Sequence, residues 1–193
     1  MKRQNNVIAW LTLLILLNIA SSSVIYWQQA RIVKALSLHA QSGEVEKYLL
    51  ECRRQEKNFF IRTSMEAIQM YMANHESATI LISSLMNKKL PIDIGMDYST
   101  LNEMMENYRE AFKAHAAYQR NNPTRNENIS TMHLCIEIAR KCHSQMASIV
   151  AETEQRYQTV SREAGMITQI LLVSISIVSI LIAVFIVKQV AVH

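Results

Sequence analysis

The chain has 193 residues, 50% of them hydrophobic, and carries 20 Lys and Arg against 16 Asp and Glu, a formal charge of +4. Seventeen of the basic residues share the stretch 28–166 with all 16 acidic ones, a balance of +1, so the basic pI does not argue for nucleic acid as a partner. Only 3 Gly and 2 Pro interrupt a middle region rich in Met, Ala, Glu, Lys and Gln, which excludes a strand-rich fold and predicts helices.

The N-terminal Met1-Lys2-Arg3 precedes an apolar run over residues 7–27. That run is longer than a signal-peptide core, and Ser21-Ser22-Ser23 offers no convincing small-x-small cleavage site, so it is expected to stay as an anchor. Asn18 inside it is a polar group in a hydrocarbon setting, for which an interhelical hydrogen bond is the expected use. Near the other end, Ala164 to Val187 is free of formal charge. As a helix it reaches about 36 Å, enough to cross a hydrocarbon layer about 30 Å thick. Lys2 and Arg3 before the first run and Lys188 after the second put both termini in the cytoplasm by the positive-inside rule. The expected layout is a cytoplasmic start at 1–6, spans at 7–27 and 166–187, an extracytoplasmic domain at 28–165, and a cytoplasmic linker beginning at 188–193.

Within the outer domain, Ile32, Ala35, Leu36, Leu38, Val45, Leu49, Cys52, Phe59 and Phe60 recur at helical spacing, predicting one helix continuous with the first span. Thr63 with Glu66 matches a capping box and predicts a second helix, with Ile68, Met72, His75, Thr79, Ile82 and Met86 on one face, ending before Pro91. Leu90 to Ser99 reads as a loop, and Thr100 with Glu103 repeats the capping-box spacing. The third helix then places Leu101, Met105, Tyr108, Phe112 and His115 on one side and stops at Asn121-Asn122-Pro123. Thr124 with Glu127 opens a fourth, through Met132, Cys135, Ala139, Cys142, Met146, Ile149 and Tyr157, that runs on into the second span. Four amphipathic helices with short connections bury their stripes most simply as a membrane-anchored, antiparallel up-down-up-down four-helix bundle.

The densest polar stretch is Glu51 to Arg62. If Leu49, Cys52, Glu56 and Phe59 continue one seam, Glu56 points into the bundle with Arg53 and Lys57 beside it, and a buried carboxylate needs a partner. Arg140, Glu137 or Lys113 could supply one. Two readings follow: a closed ion pair in a polar core layer, or an anion-binding site between helices using Arg53, Arg54 and Lys57, since guanidinium groups pair carboxylate or phosphate in bidentate fashion.

Arg54-Gln55-Glu56-Lys57-Asn58-Phe59-Phe60-Ile61-Arg62 resembles the Arg-x-Glu-Lys-x-Phe-x-x-Arg pattern of helical-bundle sensor domains in bacterial chemoreceptors (methyl-accepting chemotaxis proteins) and sensor histidine kinases. Tyr108-x-x-x-Phe112 and Val187-Lys188-Gln189-Val190 are similar to what those proteins show on the third helix and before their HAMP linker. The resemblance implies an inner-membrane homodimer that binds a small anion, often an organic acid, or a periplasmic binding protein outside and shifts its second span. It also implies ligand-binding roles for Arg54 and Lys57, with Arg53 adjacent, and a HAMP module beyond residue 193. Glu56 and Arg140 complete the candidate ligand-binding set.

No nucleophile–base pair, phosphate loop or metalloprotease motif occurs, so no enzymatic activity, metal or cofactor is expected. Cys52, Cys135 and Cys142 are read as buried thiols, with a disulfide from Cys52 to Cys142 or Cys135 and a redox role as alternatives. His75 and His115 are read as satisfied core histidines. The competing functional classes are a structural or adaptor membrane protein whose bundle docks a partner, and a cysteine-based redox sensor.

Overall fold

The computed structural model describes residues 2–88, 92–121 and 129–191, with side chains described for 7–88, 97–121 and 129–188. The described chain is 98% helical and contains no strand. It forms four helices: α1 (Lys2–Arg62), α2 (Met65–Met86), α3 (Ile92–Asn121) and α4 (Ile129–Ala191). They make two compact units, one spanning Ser37–Gln155 and the other formed by the chain up to Leu36 and from Arg156 onward.

In the first unit all four helices pack against one another around a single core. From α1 it takes Val45, Leu49, Cys52 and Phe59, from α3 Tyr98, Leu101, Met105, Tyr108 and Phe112, and from α4 Cys135, Ala139, Cys142, Met146 and Ile149. Each set advances by three and four residues, the spacing at which side chains stack on one helix face. This is the face expected for α3, and it is the expected one for α1 from Val45 to Phe59 and for α4 from Cys135 to Ile149; Leu36, expected on the α1 face, is exposed, and Ile32, Ala35, Leu38, Phe60, Met132 and Tyr157 are half-buried. For α2 the expected face is offset. Ala67, Tyr71, His75, Ala78, Ile82 and Leu85 are buried, while Ile68, Met72 and Thr79 are only half-buried and Met86 is exposed. The physical reason is Tyr71: its ring stacks on Phe112 at 3.9 Å and meets Tyr108 edge-on at 5.3 Å, and seating it turns the helix so that Met72 leaves the centre. Phe59 closes the aromatic layer against Phe112 at 5.5 Å. Each such pair contributes about 0.5–1.5 kcal/mol beyond its buried area.

Two helix starts differ from expectation. At the first break Thr63, not a helix residue, has φ 51°, and its N–H donates to the Phe59 carbonyl at 2.8 Å, the bond that closes a helix ending in a left-handed residue. The N-cap of α2 is Ser64, with no side-chain cap bond, so the Thr63–Glu66 capping box does not form. α3 begins at Ile92, so Thr100 and Glu103 lie about two turns inside it and the expected loop is helical from Ile92 onward. Tyr98 explains the extension: it is fully buried, and its hydroxyl shares a 2.6 Å hydrogen bond with Ser42 on α1. Thr124 and Glu127, the third capping pair, lie outside the described residues, as do Leu90 and Pro91.

The second unit has the opposite surface. Its helical segments are long and apolar enough to cross a membrane, and only 6% of either apolar window is covered within the chain. Ile15, Leu16, Ile19, Ile170, Ile180 and Leu181 are all exposed. The polar groups there turn inward on their own helix: Thr12, Asn18, Ser21, Ser23 and Ser176 each donate to the carbonyl four residues earlier. Asn18 thus spends its amide within α1. Trp10 and Phe185 meet at 5.5 Å, and Arg31 pairs with Glu163 at 3.5 Å while lying over the Trp27 ring.

Candidate functional site: a buried carboxylate inside the bundle

Glu56 occupies the seam position between Cys52 and Phe59 and has no solvent exposure. Its neighbours satisfy it from two helices. Arg53, one turn earlier on α1, donates to one carboxylate oxygen, and the Tyr108 hydroxyl of α3 donates to the other. The Cys135 thiol of α4 lies nearby, where the Glu56 charge bears on it. The partner of the buried charge therefore comes from none of the three groups expected from the sequence: Glu137 is engaged by Lys141 and Lys113 by Glu110, and Arg140 is exposed. Arg53 fits because its guanidinium is only partly covered, so the pair keeps one member in contact with water and avoids full desolvation.

Of the remaining candidates, Arg54 is exposed and pairs loosely with Glu51 at 3.4 Å, and Lys57 is exposed. The structure thus brings Arg53 and Glu56 together and leaves Arg54, Lys57 and Arg140 on the surface. Tyr108 is the residue that sequence reasoning placed on the core face without giving it a polar role. The signal was available, because a buried phenol seeks a hydrogen-bond partner and a seam carboxylate on a neighbouring helix is one.

The surroundings hold every acidic hydrogen in place. Burial raises the Tyr108 and Tyr71 phenols well above the ordinary range, with the Glu56 charge adding to both. Burial pushes the Cys52 and Cys142 thiols up to about 12, and raises Cys135 as well, with Glu56 contributing. Burial works against the Arg53 charge, but the hydrogen bond and charge of Glu56 outweigh it and hold the guanidinium above its usual value. The cluster therefore sets neutral phenols and thiols and one cation around Glu56, and offers no thiolate nucleophile at neutral pH.

All three cysteines are free and buried. The alternative disulfide from Cys52 to Cys142 or Cys135 does not form. Cys142 is the thiol beside Cys52, two turns along α4 from Cys135. His75 and His115 are both buried and hydrogen-bonded, His75 donating from Nε2 to the Met105 carbonyl at 2.8 Å and His115 meeting Thr131 at 3.0 Å. Burial lowers His75 below an ordinary histidine. Among the described residues no three His, Cys, Asp or Glu side chains converge as metal ligands would. The Tyr71 hydroxyl is the buried side-chain atom left without a hydrogen bond among the described residues.

A separate open groove of about 670 Å³ runs between α3 and α4, floored by Met104, Ala111, Leu134 and Ile138 and rimmed by Glu103 and Lys141. None of the five sequence candidates lines it.

Comparisons with known proteins find no match to the chain among family models, curated proteins or solved structures.

Proposed function

We propose that the chain is the sensing and membrane-spanning part of a bacterial receptor, a chemotaxis transducer or sensor kinase, anchored in the inner membrane by spans at 7–27 and 166–187 with its bundle outside and both termini in the cytoplasm. The observation that carries the reading is that α1 and α4 each run unbroken from bundle residues into a long segment with an exposed apolar surface. An antiparallel, up-down arrangement is supported by the pairings His39 with Glu154 and Glu56 with Cys135, whose numbers run in opposite senses on α1 and α4. The receptor acts as a homodimer and not as an enzyme. A small anion such as an organic acid, or a carrier protein, binds outside through Arg54 and Lys57, close to the buried Arg53–Glu56 pair. Binding favours one of two bundle packings, and α4 carries the difference to the second span.

The test is a thermal-shift screen of the full chain in detergent micelles against organic acids, amino acids and inorganic anions. A stabilising anion whose effect disappears in Arg54→Ala or Lys57→Ala, both surface changes that leave the core intact, is the expected result. Equal shifts in the wild type and in both variants exclude these residues from the site. Tag mapping that put the α2–α3 connection on the same side of the membrane as Lys2 would remove the topology. The α3–α4 groove favours a second reading, a bundle that docks a partner protein, in which case no small anion shifts the melting.

A further inference from the structure

We infer that His39, Thr153 and Glu154 form a proton-gated clamp that ties α1 to α4. His39 presents Nε2 to the Glu154 carboxylate at 3.0 Å and Nδ1 to the Thr153 hydroxyl oxygen at 3.4 Å. A carboxylate oxygen only accepts, so Nε2 carries a hydrogen. The Thr153 hydroxyl has a single hydrogen, which it donates to the Val150 carbonyl at 2.9 Å. Its oxygen is then only an acceptor toward His39, so Nδ1 carries a hydrogen too. Both ring nitrogens are protonated only in the imidazolium ion. A neutral ring keeps the Glu154 bond and must either leave Nδ1 unpaired or draw the Thr153 hydrogen away from Val150. The arrangement is complete when His39 is charged and one bond short when it is not.

The site is open to solvent protons, since the His39 and Glu154 side chains are 28% and 39% exposed. Glu154 is the charged group that faces His39 from α4. On the other two helices the charged groups bonded near this end are engaged elsewhere: Asp97 of α3 accepts from Gln145 at 3.0 Å, and Lys88, just past α2, donates to Gln41.

The clamp joins the two helices that run on into the apolar segments, so its use in signalling rests on the receptor reading: a charged His39 ties α1 to α4 through both ring nitrogens, and a neutral one ties them by one bond fewer. The clamp itself is tested by a double-mutant cycle in the full chain in detergent micelles, using His39→Gln, Glu154→Gln and the double variant, melted at pH 5.5 and pH 8. His75 is present in all four proteins, so its own titration cancels. The expected non-additivity is about 2–4 °C at pH 5.5 and less than half of that at pH 8. Thr153→Val is expected to reduce the pH 5.5 value. Equal coupling at both pH values, or none at pH 5.5, overturns the clamp. A second arm reads output from a chimera carrying the full chain and a known signalling module. Thermal coupling lost while an anion still changes output sinks the clamp and leaves the receptor; coupling intact in a chimera that answers neither anion nor pH keeps the clamp and sinks the receptor.

Discussion

The two units treat polar and apolar groups in opposite ways. In Ser37–Gln155 polar side chains such as Ser42, Glu56, His75 and Thr153 are inside and are satisfied across helices, while charged groups coat the outside. In the other unit apolar side chains face outward, while hydroxyls bond to the preceding turn of their own helix in both units. The first pattern is the one water imposes, because charges stay wet and apolar area leaves solvent. The second supports the apolar surroundings proposed above, in which outward apolar area carries no penalty and polar groups are satisfied within their own segment. The contrast is the physical content of the membrane reading proposed above.

The largest way to break the contrast is to delete the buried charge. Glu56→Ala removes the acceptor for Arg53 and Tyr108 and leaves a buried phenol unpaired, an expected loss of about 3 kcal/mol in denaturant unfolding of the bundle. Leu16→Ala, on the exposed apolar surface, is expected to change the same unfolding by less than about 0.5 kcal/mol. Equal effects of the two changes would mean that the units are not separately organised.

Next in size is the acid response. Burial lowers His75 in the folded protein, so the unfolded chain binds its proton first as pH falls. Stability from this group is full above about pH 6.5 and is lost below it, at up to about 1.4 kcal/mol per pH unit until the folded His75 also protonates. His75→Gln should flatten that slope.

Thr63→Gly sharpens the comparison from the other side. A β-branched residue at φ 51° is strained, and glycine relieves it, so a gain of about 0.5–1 kcal/mol is expected in the melting of the bundle. The smallest effect on stability is a chemical one. With Cys52 and Cys142 held near 12 and all three thiols buried, labelling by a thiol reagent at pH 7 should be at least ~100-fold slower than in the denatured chain. Rapid labelling of the folded chain would show an open, reactive thiol and favour a redox role.

The sequence by itself determined the helices, the two apolar segments, the buried faces of α3, of α1 from Val45 to Phe59 and of α4 from Cys135 to Ile149, and the inward direction of Glu56. These are properties of one helix at a time, since 3.6-residue periodicity is written locally and a strong apolar stripe has one way to be buried. Tertiary structure decided the rest. The face of α2, where Met, Ala, Ile and Tyr surround the helix with little contrast, was set by where Tyr71 could stack on Phe112. The start of α3 was set by burial of Tyr98 against Ser42, not by the local Thr100–Glu103 spacing. The choice of Arg53 and Tyr108 as partners of Glu56, and of Cys142 as the neighbour of Cys52, depends on how far one helix slides along another. That register is fixed only when all four stripes pack at once, which no single stretch of chain encodes.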